Sequence, residues 1–410
     1  MESTHTISKT KSEYQRFYLS LCQVLSKQAE QVDWEGFSPR DWENWGQVVD
    51  AEGVASLVGS SFQQRGWPSG LPDDVRSLLA KAYYNTTAHN TLLYQELDRV
   101  LTAFSSAGIP VVVLKGAALA LTLYPDIGLR PMGDLDLLVP EEQIDRAVRI
   151  VSQLGYDLEG TLQGLNPKLV RVMGTEINFE GGERIPVLVE LHWSLIGGQE
   201  SRYQPVMDWF WARTEPLEPG TDLQVPVEVL CLSPTANLPY LASHLVLKHG
   251  GLRERLLWYY DIYQLLDRWG DRLDWDMLLD AAEKFHWATA LYEALIGIKE
   301  RFDVSIPASA LDRLRQSRVS SERLAHPRDQ VQTRTAQTLD DLASLTWRTR
   351  LQVILTLLFP TPKYLRWRYD PQPPWIWPAF YFYRWFDILR DAYGTLKQKI
   401  RRDTENVEEA

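Results

Sequence analysis

Residues 111–139 read VVVLKGAALALTLYPDIGLRPMGDLDLLV. The β-branched and aliphatic run Val111–Leu114 predicts a buried strand that ends in a turn at Gly116. Ala117–Leu123 predicts a short apolar helix, and a glycine-containing loop then leads into a second strand, Asp134–Val139. We therefore expect a strand–turn–helix–loop–strand unit at the centre of the fold.

Two carboxylates stand at the start of the second strand. Side chains alternate along a strand, so Asp134 and Asp136 project from one face, and Leu135 and Leu137 project from the other. Adjacent carboxylates repel each other, and a divalent cation between them removes that cost. A third acid, Glu190, lies in the mostly apolar run VLVELHW (residues 187–193), where an unpaired carboxylate is destabilising. Ligation of the same cation would explain Glu190.

Helical patterns flank this unit on both sides. The predicted helices begin near Tyr14 and continue at residues 40–63, 73–107, 141–154, 239–248, 254–269 and 275–299. A short strand is expected from Gly155, and Gly181-Gly182 separates the arms of a predicted β-hairpin, residues 175–180 and 186–193. The charged stretch 301–337 predicts a loop or a loosely packed helix.

These elements predict an α+β fold. A small mixed β-sheet core (residues 109–232) would lie between an N-terminal helical region (residues 1–108) and a C-terminal helical domain (residues 233–410). The tail of that domain, residues 371–386, reads PQPPWIWPAFYFYRWF. Its density of Trp and Tyr suits a peripheral membrane or protein contact, and packing back onto the helical domain is the alternative.

Composition restricts the classes of partner. The 410 residues carry a net charge of −11, which argues against a broad nucleic-acid-binding surface. Two distant cysteines, Cys22 and Cys231, fit neither a disulfide framework nor a zinc site and suggest a reducing cytoplasm. The polar start MESTHTISKTKSEYQ does not predict a signal peptide, and the longest apolar run near the C-terminus, residues 351–359, is too short to span a bilayer.

The central unit, followed by VELHW and HLVLKHGGLRERLLWYYDIYQLL, resembles the bacterial uncharacterised nucleotidyltransferase family of the polymerase-β-like nucleotidyltransferase superfamily. The resemblance implies a small mixed sheet with helices and two Mg²⁺ ions held by Asp134, Asp136 and Glu190 as catalytic carboxylates. It also implies an NTP donor, with ATP as the first choice, and an unknown acceptor. Two metals can activate an attacking hydroxyl and hold the leaving pyrophosphate.

Further residues are candidates for substrate contacts. Gly116 lets the backbone approach phosphate, while Lys115 and Arg130 are expected to neutralise phosphate charge. Candidates for acceptor binding or for support of the metal ligands, each with a structural reading beside it, are His192, His244, His249 and Asp261. For Asp261 the structural reading is a buried ion pair with a partner such as Arg255. Motifs typical of P-loop, Rossmann, zincin and serine-hydrolase sites are absent from the sequence.

One departure from the superfamily pattern keeps a second function open. The superfamily usually has Gly-Gly or Gly-Ser where this chain has Gly116-Ala117, so a hydroxyl contact to phosphate is missing. The alternative to nucleotidyl transfer is therefore a catalytically degenerate nucleotide-binding or scaffold protein of a biosynthetic assembly. Phosphoryl transfer is a third hypothesis, and it is distinguished by the release of ADP instead of pyrophosphate.

Overall fold

The computed structural model describes residues 2–26, 32–158, 170–171, 174–197, 201–217, 229–249, 255–321, 346–371, 373–390 and 393. Within these residues the predicted α+β fold is confirmed: seven strands form one mixed sheet, and helices pack around it. The strands are β1 (Val112–Val113), β2 (Asp134–Leu138), β3 (Asp157–Leu158), β4 (Glu176–Gly181), β5 (Val187–His192), β6 (Thr214–Pro216) and β7 (Leu230–Leu232).

The sheet has the strand order β3-β4-β5-β2-β1-β7-β6. The β2–β5 and β1–β7 pairs are parallel, and the remaining neighbours are antiparallel. The predicted hairpin is β4–β5, and Gly182, with φ +123°, occupies a conformation that favours glycine at its turn. The sheet therefore places the predicted acid strand β2 at its centre, directly beside β5.

Helices make up most of the remaining described structure. They are α1 (Glu2–Leu25), α2 (Pro39–Ala51), α3 (Ala55–Arg65), α4 (Asp73–Ser106), α5 (Lys115–Thr122), α6 (Ile144–Gln153), α7 (Met207–Trp211), α8 (Pro234–Ser243), α9 (Leu256–Trp269), α10 (Trp275–Lys284), α11 (Ala288–Arg301), α12 (Ala308–Ser321), α13 (Trp347–Leu358), α14 (Pro362–Tyr369) and α15 (residues 380–390). A π-helical turn, His244–Lys248, extends α8.

Several predicted helix boundaries are wrong. The first helix begins at Glu2 and not near Tyr14. The single helix predicted over residues 40–63 is broken into α2 and α3 where Gly53 adopts φ +71°, and the one predicted over 275–299 is broken into α10 and α11 at His286, with φ +60°. Apolar periodicity continues across both breaks, so pattern alone does not reveal a local change of backbone direction. Of the charged stretch 301–337, residues Ala308–Ser321 form α12, and residues 322–337 lie outside the described residues.

Two apolar clusters hold the described structure together. One contains side chains from the N-terminal helices together with side chains of α8–α12, so helices from both sides of the sheet region in sequence share a hydrophobic interior. The other lies under the sheet, where Leu135 and Leu137 of β2 pack with side chains of α4 and α6. The leucines of β2 thus face the interior, as predicted, and the carboxylates project from the opposite face. The three-region division at 108 and 232 stays a prediction.

A hydrogen-bonded anchor fixes α4 against the sheet. The buried Glu96 carboxylate accepts hydrogen bonds from Arg99 Nη2 at 2.7 Å, from the Tyr156 hydroxyl at 2.6 Å and from the Glu183 backbone N–H at 3.0 Å. These donors come from α4, the segment before β3 and the hairpin loop, so one side chain joins three elements. Among the described residues, no helix combines the length and hydrophobicity needed to cross a membrane.

Candidate functional site

Neighbouring parallel strands bring the acids together. The register of β2 and β5 places Asp136 directly beside Glu190, and Leu138 beside His192. Adjacent strands in register project equivalent side chains from one face, so these groups converge. One ligand atom from each of Asp136, Glu190 and His192 lies within 4.8 Å of the others. The described residues therefore contain a largely buried group of Asp136, Glu190 and His192 with the donor chemistry of a divalent-metal site. We call this group the acid cluster.

Lys115 reaches the same group from the start of α5. Its Nζ lies 2.6 Å from Asp136 Oδ1 and 3.8 Å from Glu190 Oε2. Burial by itself lowers the pKa of Lys115, but the charge of Asp136 outweighs it and holds the pKa well above its usual value. The lysine has φ +42°, a left-handed conformation that costs energy in any residue with a Cβ. Backbone strain of this kind persists only where the surrounding structure fixes the conformation of the residue.

Charge balance around the cluster favours an added cation. Burial, followed by the negative charges of Asp136 and Glu190, raises the pKa of Asp134 to about 6. Asp136 behaves in the opposite way: burial would raise its pKa, but Lys115 and then His192 hold it well below its usual range. Lys115 and His192 therefore stabilise the charge of Asp136, whereas Lys115 and Arg130 only partly offset the repulsion at Asp134. The donor set and this excess of carboxylate fit a divalent metal, although Asp134 is not part of the compact three-residue group.

The structure adds two charged residues that the sequence analysis missed. His192 Nε2 lies 2.9 Å from Asp136 Oδ1, and its Nδ1 lies 3.2 Å from Glu176 Oε2. Glu176 in turn pairs with Lys248 Nζ at 2.7 Å. Burial would raise the pKa of Glu176, but His192 and then Lys248 lower it to about 2. This chain of charges holds the His192 ring between two carboxylates and links the sheet to the π-helical turn after α8.

Hairpin register explains why Glu176 was missed. The predicted arms, residues 175–180 and 186–193, carried no register, and the observed register pairs Glu180 with Leu188 and Glu176 with His192. Sequence spacing does not determine loop geometry, so the position of Glu176 opposite His192 depends on the folded hairpin.

Arg130 is buried in an ion pair with Asp261. Arg130 Nε donates to Asp261 Oδ1 at 2.9 Å and Nη2 donates to Oδ2 at 2.7 Å, while the Tyr124 hydroxyl donates to Oδ1 at 2.6 Å. The buried partner of Asp261 is thus Arg130 and not Arg255. Gly116 makes room for this arrangement, because a Cβ at that position would lie 2.7 Å from Arg130 Nη1. Gly116 therefore has a structural role beside Arg130, and its approach to phosphate stays a prediction.

A small cleft of about 50 Å³ adjoins the acid cluster, and Lys115 belongs to both. Four of the predicted site residues contribute to its lining, which consists of Lys115, Leu119, Arg130, Leu241, His244, Leu245, Trp258 and Asp261. His249 lies behind His244, with ring centroids 4.6 Å apart, and its ring also contacts Trp258 at 4.4 Å. The predicted residues thus separate into an acid cluster and a neighbouring cleft.

The approach of His244 and His249 depends on the π-helical turn. An ordinary α-helix rotates residues five apart to different faces, so the sequence did not predict that the two rings meet. The wider π turn His244–Lys248 bonds residue i to i+5 and brings them together. Burial, followed by the charge of Lys115, holds the pKa of His244 well below its usual value, so this ring is neutral at pH 7.

Two buried hydroxyl groups on α8 also went unnoticed in the sequence. Tyr240 and Ser243 are fully buried, and among the described residues their hydroxyl oxygens have no hydrogen-bond partner. Burial first, and then the charges of Asp136, Glu176 and Glu190 against the opposing charge of Lys115, raise the pKa of Tyr240 above its usual value. A buried polar atom without a partner is costly unless something else binds it. Tyr240 is therefore a group near the cluster that a ligand would satisfy.

Comparison with protein families gives a match over residues 38–303 to the model of an uncharacterised nucleotidyltransferase family. The chain belongs to this family. Nucleotidyl transfer is accordingly its reaction class, and the resemblance of the sequence to the uncharacterised nucleotidyltransferase family is confirmed. No curated protein gives a significant sequence match.

Solved structures of nucleotidyltransferases show a distant likeness. One is ANT(2")-Ia in complex with adenylyl-2"-tobramycin, at 16% identity and a TM-score of 0.30, covering 47% of this chain and 95% of that one. Another is an antigenic nucleotidyltransferase-like protein from Paracoccidioides brasiliensis, at 14% identity and a TM-score of 0.31, covering 55% of this chain and 93% of that one.

Proposed function

We propose that this nucleotidyltransferase transfers a nucleoside monophosphate from an NTP, with ATP as the first choice, to a hydroxyl of a small molecule, sugar, peptide or protein. The acceptor oxygen would bond to the α-phosphorus as the bond to the departing pyrophosphate breaks, and the hydroxyl proton would pass to a nearby base. The observation that carries the proposal is the register of β2 and β5, which joins Asp136 and Glu190 in one cluster within a chain of this family.

Asp134, Asp136 and Glu190 are the proposed Mg²⁺ ligands, with His192 oriented against Asp136 to support them. When bound, the metal would lower the pKa of the acceptor hydroxyl and neutralise charge on the leaving group. Glu190 is the proposed base for the acceptor proton, since it lies at the edge of the cluster and remains partly exposed.

The cleft beside the cluster is the proposed entrance for substrate phosphate and acceptor. Lys115 would exchange part of its contact with Asp136 for phosphate oxygens, and Gly116 would let phosphate approach the backbone. His244 and Asp261 line the cleft, and His249 supports His244 from behind. A neutral His244 suits hydrogen bonding to an acceptor hydroxyl.

We further propose a cytoplasmic location, since Cys22 and Cys231 are free thiols. Residues 371–386 are the proposed site of a peripheral membrane or protein contact that takes no part in the reaction.

Arg130 favours a second candidate function. Its guanidinium already binds both oxygens of Asp261, and Ala117 supplies no hydroxyl for phosphate. With both phosphate contacts weakened, the chain would bind a nucleotide as a sensor or scaffold without turning it over. This alternative predicts NTP binding without pyrophosphate release, whereas phosphoryl transfer predicts ADP.

Pyrophosphate release with mixed NTPs and a panel of acceptors tests the proposal. We expect release that requires added Mg²⁺ and falls by about a thousandfold or more in Asp136→Asn, because charge stabilisation in a water-poor site carries much of such a barrier. Glu180→Gln is the matched control, since Glu180 is an exposed acid in β4 and should leave turnover unchanged. Equal turnover in Asp136→Asn and in the parent would disprove this assignment. Calorimetric NTP binding without any turnover would support the sensor instead.

A further inference from the structure

Exposed apolar side chains are concentrated at one end of the described chain. Of the sixteen large hydrophobic side chains that are exposed among the described residues, eleven lie between positions 347 and 393. We call these eleven the aromatic surface, and they are Trp347, Leu351, Ile354, Leu355, Phe359, Trp375, Phe382, Tyr383, Phe386, Leu389 and Tyr393. Soluble proteins rarely expose so many apolar side chains in one segment unless the segment has a binding role.

Helical geometry gathers the first part of this surface onto one face of α13. At 100° per residue, Trp347, Leu351, Ile354 and Leu355 fall within a sector of about 100°. Val353 points away from that sector and is buried, with 3% of its surface exposed. α13 therefore buries one side and presents an apolar stripe on the other.

The second part repeats the same spacing on α15. Phe382, Phe386 and Leu389 are separated by four and three residues, which places them on one helical face. The stripe is not a frayed end of the fold, because the segment has internal contacts. Trp385 Nε1 donates to Leu358 O at 2.8 Å, which ties α15 to α13.

Internal packing leaves the aromatic surface outside the main core. The Tyr381 hydroxyl donates to Pro360 O at 2.8 Å, and the rings of Phe359 and Trp385 meet edge to face at 5.5 Å. The buried aliphatic side chains of the segment, Val353 and Leu365, are members of neither of the two apolar clusters of the described structure. The segment has folded on itself and kept its apolar stripes in contact with solvent.

Charge distinguishes this segment from the rest of the chain. Residues 346–390 contain seven Lys or Arg and two Asp, a balance of +5, whereas the whole chain carries −11. Arg348 and Arg350 lie on either side of the apolar stripe of α13 on the helical wheel. Arg366 stacks over the Trp377 ring at 5.4 Å. Basic residues beside aromatic and aliphatic side chains are the chemistry that recognises anionic headgroups above a hydrocarbon layer.

We propose that the aromatic surface attaches this enzyme peripherally to an anionic lipid bilayer. α13 and α15 would lie in the interface with their apolar stripes toward the acyl chains, and the basic residues would contact the headgroups. Trp and Tyr side chains prefer that depth, since each combines a large apolar body with a polar tip. The described helices are too short or too polar to cross the bilayer, which agrees with attachment at its surface.

Vesicle co-sedimentation of the full chain tests this attachment. We expect the protein to pellet with vesicles of phosphatidylcholine containing about one third phosphatidylglycerol, to stay in solution with pure phosphatidylcholine, and to detach in part at high salt. Leu351→Ser/Phe386→Ser should weaken vesicle binding about tenfold or more, because it removes one apolar anchor from each stripe. Both side chains are exposed, by 49% and 60%, so folding should be unaffected, which far-UV circular dichroism checks.

The matched control is Leu78→Ser/Tyr84→Ser, which removes an exposed leucine and an exposed aromatic residue from α4 and should leave vesicle binding unchanged. Equal vesicle binding by the parent and the Leu351→Ser/Phe386→Ser variant would overturn the proposal, as would failure of the parent to bind anionic vesicles. A dimer detected by light scattering that dissociates in that variant would assign the surface to a second copy and overturn it too. None of these measurements depends on nucleotidyl transfer, so they can fail while the proposed reaction stands.

Discussion

Arg130 and Asp261, which are 131 positions apart in sequence, form a two-pronged ion pair in the interior of the protein. Only 5% of Arg130 and 3% of Asp261 is exposed. The pair connects the loop before the acid strand β2 to helix α9, and the Tyr124 hydroxyl completes it. The position of the acid strand relative to the C-terminal helices therefore depends on a contact that is also a wall of the cleft.

Removing the charge of one partner from this ion pair should lower the stability of the fold. We expect Asp261→Leu to lower the free energy of unfolding by about 3–5 kcal/mol, because it leaves the Arg130 guanidinium buried without its partner. Arg130→Met/Asp261→Leu should recover most of that loss, since an apolar pair leaves no buried charge. Urea denaturation followed by tryptophan fluorescence measures both. If the double variant is no more stable than Asp261→Leu, the two side chains do not act as a unit.

The same double variant separates a structural from a phosphate-binding role of Arg130. If Arg130 only positions β2, a folded double variant should keep its affinity for NTP, measured by calorimetry. If Arg130 also contacts phosphate, affinity should fall by about tenfold or more, the value of one charge-assisted bidentate contact.

Gly116 should tolerate no side chain. Gly116→Ala would bring a Cβ to 2.7 Å from Arg130 Nη1, and the buried guanidinium is held in place by Asp261. We expect the free energy of unfolding to fall by about 1–3 kcal/mol, the usual cost of overpacking. Gly133→Ala is the control, because a Cβ there meets nothing within 4 Å. Equal stability of the two variants in thermal unfolding would show that Arg130 moves aside freely.

Tyr240→Phe should distinguish ligand binding from packing. Its hydroxyl has no partner among the described residues, so its loss should leave stability unchanged or raise it by about 1 kcal/mol. Turnover, by contrast, should fall if the hydroxyl contacts substrate. Tyr94→Phe is the comparison, since the Tyr94 hydroxyl donates to Ala117 O at 2.8 Å and its removal should cost about 1–2 kcal/mol. A stability loss in Tyr240→Phe as large as in Tyr94→Phe would argue against a free hydroxyl.

Glu96 should make stability depend on acid pH. Burial would raise its pKa, but the hydrogen bond from Tyr156, followed by that from Arg99, lowers it below the usual 4.5. A depressed carboxylate pKa stabilises the fold above the unfolded value, and this stabilisation is lost as pH falls through the folded value. Glu96→Gln should therefore be less stable than the parent by about 1–3 kcal/mol at pH 7. The gap should narrow below about pH 4.5.

Urea denaturation of both proteins at several pH values between about 7 and about 3 tests this expectation. Glu180→Gln serves again as the control, since it makes the same change at an exposed acid of β4. A gap between Glu96→Gln and the parent that stays constant across this range would contradict the assignment of the stabilisation to an ionised Glu96.

Local patterns in the sequence were enough to predict the side-chain orientation in β2 and the protein family. Strand alternation placed Asp134 and Asp136 opposite the buried Leu135 and Leu137, and the lone acid in an apolar run identified Glu190. The orientation of these side chains was predictable because period-2 alternation is a property of a single strand, whereas the roles of Asp134, Asp136 and Glu190 as metal ligands stay a prediction. The family was also recognisable from contiguous motifs, so the reaction class needed no coordinates.

Tertiary structure alone decided the partners of these groups. The pairing of Arg130 with Asp261, the position of Glu176 opposite His192, and the π turn that joins His244 to His249 each depend on where distant segments meet. No local periodicity encodes such meetings, because loop geometry and helix packing set them and a shift of one residue would change every contact. The sequence thus supplied the candidate site residues, and the packed fold decided which of them touch.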